Sequence, residues 1–360
     1  MKPLIFSLLF FGLIQCNPPS STALETPLVI AYYSGNGIDI KQYDLKGVDQ
    51  LIYSFLHLKG NQLAIDNPQD SLTLLQLTAL KKAYPKLQVL VSLGGWGGCK
   101  TCSDVFSTQA ARKEFALSTA QILKNYQADG IDLDWEYPVV PGPPGHPYKD
   151  ADQANFTDLL VQLRKELPKK AVLSFAAGGY PDYLERAIDW KAVMPLVDHV
   201  NVMSYDMVGG FSATTGHHTP LYATSQQERS ADQAIQWLLE KGVPAHKIVI
   251  GAAFYGRIFQ QVPPENQGLY QTGTFLKGVD QKNFDEVTQN FTLYWDQIAQ
   301  APYAYDEENQ LFLTYDNAKS IALKVDYVRT HHLKGIMFWE LSNDLPKNGL
   351  LHGLVQKAKK

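Results

Sequence analysis

Asp129-Gly130-Ile131-Asp132-Leu133-Asp134-Trp135-Glu136-Tyr137-Pro138 alternates apolar and acidic side chains without a break from Ile131 to Glu136. In a β-strand, side chains at i, i+2 and i+4 share one face. Asp132, Asp134 and Glu136 therefore form a single row, about 6–7 Å per step, while Ile131, Leu133 and Trp135 take the other face. Both faces are satisfied if the strand belongs to a closed barrel wrapped by helices. The apolar set then points outward and the carboxylates inward, with Glu136 nearest the C-terminal rim where barrel active sites lie. Closely spaced carboxylates raise at least one pKa, so such a row can keep Glu136 protonated near neutral pH, as a general acid requires. A solvated acidic run would not alternate with Ile, Leu and Trp inside a buried strand.

The rest of the chain supplies the partners this strand needs. Short runs rich in Val, Ile and aromatic residues recur at 27–33, 50–55, 88–93, 130–135, 171–176, 197–205, 247–254 and 334–339. Most are nearly continuous apolar runs, as expected of strands buried on both faces. Amphipathic segments such as 107–126, 152–167 and 230–241 lie between them, with apolar residues three or four apart. Eight alternating pairs predict an α/β fold, a (β/α)8 TIM barrel. After 254 about 80 residues pass before the next strand, too many for one crossover. Within the gap, 291–295 and 311–315 read as strands and 317–331 as the helix leading into strand eight. The expectation is a barrel built from 27–257 and 314–360, with a small α+β insertion at 258–313 forming a wall beside its mouth.

A chain of 360 residues, 45% hydrophobic and 19% charged, suits one such barrel. A net charge of -4 with interspersed signs provides neither a basic stripe for nucleic acid nor a polybasic patch for lipid. The expected partner is uncharged, and the protein is expected to be a monomer. Lys2 and the apolar run 4–14, too short to span a bilayer, predict a signal peptide over 1–16, with 17–26 as a flexible tether. Leu13-Ile14-Gln15-Cys16 resembles the lipobox of bacterial lipoproteins. That resemblance implies lipidation of Cys16 and anchoring in the cell envelope, at the outer membrane or surface; an ordinary cleaved signal and secretion is the alternative. Cys99 and Cys102 can close a local disulfide in an oxidising compartment and stiffen their loop, since zinc would need further ligands and a redox motif a helix opening at the pair. The pairs His217-His218 and His331-His332 do not converge on one ion without further ligands, so no metal or other cofactor is predicted.

The spacing D-x-x-D-x-D-x-E at Asp129, Asp132, Asp134 and Glu136 resembles the signature of glycoside hydrolase family 18, the chitinase-like enzymes. Four further stretches are similar to that family at strand ends: Ser92-Leu93-Gly94-Gly95-Trp96, Met203-Ser204-Tyr205-Asp206, Tyr255-Gly256-Arg257 and Trp339-Glu340. The resemblance runs from Leu28 nearly to the end of the chain. It implies a substrate-assisted reaction in which Glu136 protonates the glycosidic oxygen and later activates water, while the sugar's own N-acetyl oxygen attacks C1. Asp134 would accept the acetamide N–H, Tyr205 would donate to its carbonyl, and Asp132 would share a proton with Asp134. Asp129 is assigned structural support. The resemblance also implies a sugar site floored by Trp339, with Tyr32, Phe55, Trp96, Gly95, Tyr137, Met203 and Tyr255 around it and Asp206 and Arg257 as polar clamps. Core packing is the competing reading for Phe55 and Met203. The implied function is a retaining chitinase acting on β-1,4-linked N-acetylglucosamine. The alternatives are an endo-β-N-acetylglucosaminidase acting on N-glycan cores and a non-catalytic chitin-binding lectin.

Overall fold

The structure, a computed structural model, describes residues 26–360. The expected leader, Cys16 and nearly all of the tether lie outside the described residues.

Eight parallel strands, Leu28–Tyr33, Gln50–Lys59, Gln88–Gly94, Gly130–Asp134, Val172–Gly178, His199–Met203, Ile248–Ala253 and Gly335–Trp339, follow one another around the sheet. Leu28–Tyr33 pairs with both Gln50–Lys59 and Gly335–Trp339, which closes the (β/α)8 barrel. A short strand, Gln62–Ala64, folds back antiparallel on the second barrel strand. Side chains sort by parity along the strands. Val29, Ala31, Val89, Val91, Ile131, Leu133, Leu173 and Phe175 point outward into one large apolar cluster. Ile30, Tyr32, Ile52, Leu90, Val172, Val249 and Met337 fill the barrel interior below the mouth. Burying each such aliphatic side chain stabilises the fold by about 1.5–3 kcal/mol.

Helices that begin with their own caps cover the outer layer. Gln109–Tyr126 starts at Thr108, whose side chain accepts the Ala111 N–H, and buries Phe115, Ala116 and Leu123. Ala231–Glu240 starts at Ser230 in the same way, and Ala318–Thr330 opens with a capping box between Asn317 and Ser320. Trp135 packs outward between Phe106 and Phe156, with ring centroids at 5.6 and 6.3 Å.

The segment after the seventh strand forms a separate antiparallel sheet in the order Thr274–Asp280, Tyr255–Gln260, Leu311–Tyr315, Ala301–Asp306, Thr292–Asp296. Its edges run past the expected 258–313 on both sides: Tyr255, Gly256, Arg257, Thr314 and Tyr315 belong to it rather than to the barrel. The boundary is hidden because a bend of one residue, Phe254, is all that separates the barrel strand from the first strand of the insertion. Phe254 is buried there against Phe338, rings 4.0 Å apart, and neither glycine nor proline marks the change of sheet. The sixth strand is likewise shorter than expected, ending at Met203 and leaving Tyr205 and Asp206 in the following loop. Asp206 there takes a left-handed φ of 57°.

Where the insertion returns to the barrel, Asp316 and Lys324 form an ion pair with no exposed side-chain surface, Nζ to Oδ2 2.6 Å. Asp316 also accepts hydrogen bonds from Ser320 Oγ at 2.6 Å, Thr219 Oγ at 3.2 Å and the Ala253 N–H at 3.0 Å.

Candidate active site

The register of the fourth strand sets its carboxylates among specific neighbours. Asp132 lies level with Ser92 on one side and Ser174 on the other, and Asp134 lies level with Gly94. Asp132 is fully buried and accepts four donors. Ser174 Oγ at 2.6 Å and Asn201 Nδ2 at 3.1 Å reach Oδ1, while the Tyr32 hydroxyl at 2.9 Å and Ser92 Oγ at 3.3 Å reach Oδ2. Burial raises its pKa, and the four donors oppose that rise. Both oxygens of Asp132 are occupied by donors from four other strands, and Asp134 Oδ1 is buried without any hydrogen-bond partner. Burial, then Glu136, then Asp132 push the Asp134 pKa well above the usual carboxylate range.

Glu136 sits one residue pair nearer the rim and is 8% exposed. Burial raises its pKa to about 7, against the Tyr137 hydroxyl, which favours the charged form, and with help from the negative charge of Asp206. The rise comes first from burial, with Asp206 on the sixth-strand loop adding to it, and the row takes part as well, since Glu136 and Asp134 sit close enough for Glu136 to push the Asp134 pKa up. Tyr205 lies close enough to the row to feel its charges. Burial raises its pKa well above normal, followed by Asp134, Asp206 and Glu136, and its closest polar contact is Met337 Sδ at 3.9 Å.

Aromatic rings form the rim. Trp339 stacks on Phe55 with centroids 5.5 Å apart and planes 16° from parallel, and Tyr32 lies 5.9 Å from it at 53°. Two glycines permit this approach. Gly94 has φ +114° and a Cβ there would lie 2.1 Å from the Asp134 carbonyl; Gly95 has φ +77° and a Cβ would enter the Phe55 ring at 2.3 Å. Tyr137 packs edge-on against Tyr180 and Tyr183, and Tyr205 against Tyr255 at 6.1 Å. Met203 packs against the interior cluster beside Tyr205 and Trp339. Asp206 Oδ1 accepts the Tyr255 hydroxyl at 2.8 Å and Arg257 Nε at 2.6 Å. Burial would raise the Asp206 pKa, but His218 and Arg257 outweigh it and hold the carboxyl well below its usual range. The Asp206 side chain keeps 41% of its surface open, so solvent screens the pair.

Trp96 stands apart from this cluster. It is 55% exposed and meets Phe211, 83% exposed, at 6.5 Å across the mouth. Its loop is closed by a Cys99–Cys102 disulfide with Cα atoms 5.1 Å apart. Phe211 was not singled out in the sequence; its only signal is a lone aromatic set among Gly209, Gly210 and Ser212. His218, fully buried beside Asp206, was considered only as half of a histidine pair. A cleft of about 340 Å3, lined by Val208, Ser212, Thr214, Gln227 and Tyr270 among others, opens beside the sixth-strand loop, and none of the carboxylate row lines it.

The chain's likenesses to known proteins agree with this geometry. The sequence profile of the Glycosyl hydrolases family 18 matches residues 28–344. The chain is 35% identical to Chitinase A1 of Niallia circulans over 299 residues, covering 76% of this chain and 43% of that protein. It is 34% identical to Chitinase 1 of Aphanocladium album, covering 74% and 64%. This chain thus spans less than two thirds of the length of either relative. A solved family 18 N-acetylglucosaminidase from Paenibacillus barengoltzii superposes with a TM-score of 0.84 at 35% identity, covering 92% of this chain and 99% of that one. With the profile spanning almost the whole barrel and the insertion, the chain belongs to glycosyl hydrolase family 18.

Proposed function

We propose that this protein is a retaining glycoside hydrolase that cleaves β-1,4-linked N-acetylglucosamine in chitin or chitooligosaccharides by substrate-assisted catalysis. The observation that carries the reading is a buried Glu136 with a pKa raised to about 7, beside an Asp134 oxygen that meets no donor. A general acid works best when its pKa lies near the operating pH, and a buried acceptor without a partner is costly unless a ligand supplies the donor. Names such as chitinase and N-acetylglucosaminidase among its relatives agree with this substrate class.

In the reaction we infer, each group has its own part. Glu136 donates its proton to the glycosidic oxygen as the C1–O bond breaks. The carbonyl oxygen of the sugar's own acetamide bonds to C1, giving an oxazolinium ion. Asp134 accepts the acetamide N–H and spreads the positive charge, and Tyr205 donates its hydroxyl to the acetamide oxygen. Asp132, held in place by its four donors, adds to the rise of the Asp134 pKa. No other carboxylate stands ready as a nucleophile, since Asp206 is held back by Tyr255 and Arg257. The Glu136 carboxylate then takes a proton from water, whose oxygen bonds to C1 from the face the leaving group left, so the configuration at C1 is retained. Trp339 supplies the apolar floor under the ring at the cleaved position.

Incubation with chitooligosaccharides and with a high-mannose glycoprotein, with Glu136→Gln as control, tests the proposal. Cleavage of the oligosaccharides with β-anomeric first products supports it. Cleavage of the glycoprotein alone would replace it with the N-glycan activity, and cleavage of neither would favour a lectin. Plain glucose polymers lack the acetamide nucleophile and are expected to be inert. Export with a lipidated Cys16 belongs to the same proposal; palmitate labelling that is lost in Cys16→Ala supports it, and absence of labelling removes the lipid anchor.

A further inference from the structure

His218 has no exposed surface, yet among the described residues neither of its ring nitrogens has a hydrogen-bond partner. A buried imidazole left this way costs stability, so its retention calls for a role. Its backbone is fixed from both sides: the N–H donates to Thr314 Oγ at 3.0 Å and the carbonyl accepts the Met207 N–H at 3.0 Å. The ring lies against Tyr255, centroids 5.1 Å apart, and Nδ1 stops 3.6 Å from Asp206 Oδ1. That is the same oxygen that takes the hydrogen bonds of Tyr255 and Arg257.

We propose that His218 is a positioning residue that governs the Asp206 carboxylate, and through it the acid limb of the enzyme's pH profile. This rests on the reading above, in which Asp206 borders the reacting sugar and adds to the field on Glu136. Every charged group facing the imidazole comes from the junction of barrel and insertion. Asp206 lies on the sixth-strand loop, Arg257 and Tyr255 on the first strand of the insertion, and Asp316, tied to Lys324, after its last strand. Burial lowers the His218 pKa and Arg257 lowers it further, against Asp206 and Asp316, so the ring is neutral at pH 7. In that state Asp206 Oδ1 takes its hydrogen bonds from Tyr255 and Arg257, while Nδ1 of the imidazole stays 3.6 Å away. When the ring takes a proton in acid, a charge-assisted hydrogen bond of about 2.8 Å becomes available. Closing that gap draws the carboxylate inward, away from the sugar, and neutralises part of the charge that helps keep Glu136 protonated. The adjacent His217 makes a different contact, to Asp296 on the insertion at 3.1 Å, and takes no part in this device.

The test compares His218→Gln, which keeps a neutral donor, with His218→Leu, which keeps only bulk, by the pH dependence of kcat/KM on a soluble chitooligosaccharide. Circular dichroism at each pH confirms the fold. In His218→Gln the acid limb is expected to move to lower pH by roughly half a unit or more, with the basic limb unmoved because Glu136 sets it. On the plateau His218→Leu is expected to lose roughly 2- to 10-fold in kcat/KM through KM, with His218→Gln recovering most of that loss. An acid limb that stays in place in a folded His218→Gln overturns the proposal. If the unaltered protein cleaves no chitooligosaccharide, the substrate reading fails separately. Imidazole NMR titration then decides the coupling alone: Asp206→Asn is expected to lower the His218 pKa, and an unchanged value overturns the inference.

Discussion

At the seam between barrel and insertion, Asp316 has no exposed surface and receives four donors: Lys324, Ser320, Thr219 and the Ala253 N–H. At the barrel mouth, Asp134 is buried almost as deeply, 4% exposed, and one of its oxygens meets no donor at all. The two carboxylates face the same desolvation penalty, and the fold compensates only one of them. The compensated acid joins three parts of the chain and holds structure. The uncompensated acid, with Glu136 one step above it, keeps an unmet need for a hydrogen bond that a substrate acetamide can satisfy. Asp132 shows that the difference is not one of depth, because it sits in the same row, fully buried, with four donors of its own.

This contrast breaks first at Glu136. Glu136→Gln keeps the shape and removes the transferable proton, so kcat on chitooligosaccharides is expected to fall by about 100- to 10,000-fold while the fold survives. A loss smaller than tenfold would mean that the mouth carboxylates are structural like those of the seam. Lys324→Ala attacks the other side of the comparison. It strands Asp316 as a buried, unpaired charge and should cost about 3–5 kcal/mol, read as a fall in Tm or in the urea midpoint. Replacing both partners by Leu and Met should recover most of that loss. A single variant as stable as the unaltered protein would show that the pair does not hold the insertion in place.

The sharpest form of the comparison is stability against pH. The Glu136 pKa is raised from 4.5 to about 7 by folding, so the folded state binds this proton more tightly than the unfolded chain. The stability this contributes is fully present below about pH 4.5 and is lost as pH rises through 7. Glu136→Gln cannot ionise and should therefore be more stable than the unaltered protein at pH 8, by up to about 3 kcal/mol, with the difference vanishing near pH 4. Thermal melts at the two pH values measure it, and an equal Tm at pH 8 would remove the claim that burial strains this carboxyl.

The acid row was legible from the sequence because its period of two is local: each carboxylate lies two residues from the next, and the apolar residues between them declare a strand. What surrounds the row was not legible. The Tyr32 hydroxyl and Asn201, 100 and 69 residues away from Asp132, reach it only because the barrel closes, and no local pattern announces such a partner. The same limit hid the junction at Phe254, where a one-residue bend passes the chain from one sheet to the other, and placed Tyr255 and Arg257 in the barrel when they belong to the insertion sheet. His218 lacked any signal of its own, since its environment comes from three separate segments. Gly94 and Gly95 were visible as glycines, but the carbonyl and the ring that require them became visible only in three dimensions.

Asp129 gives the smallest and most discriminating case. It opens the acidic motif in sequence, yet it lies below the row, where Lys81 Nζ approaches its two oxygens at 3.0 and 2.9 Å and the Val89 N–H donates to it at 2.8 Å. It is thus partnered like the seam acid but, at 31% exposed, it is wet like a surface acid. Exposed pairs of this kind contribute about 0–1 kcal/mol, and Asp129→Asn keeps an oxygen for the Val89 N–H. The substitution should therefore lower stability by about 0.5–1 kcal/mol, lose that difference at high salt where the Lys81 pair is screened, and leave kcat unchanged. A large fall in kcat without a fall in Tm would show that the motif acts chemically from its first acid onward. The border between acids that meet their donors in the fold and acids that await them from the substrate would then lie further down the strand.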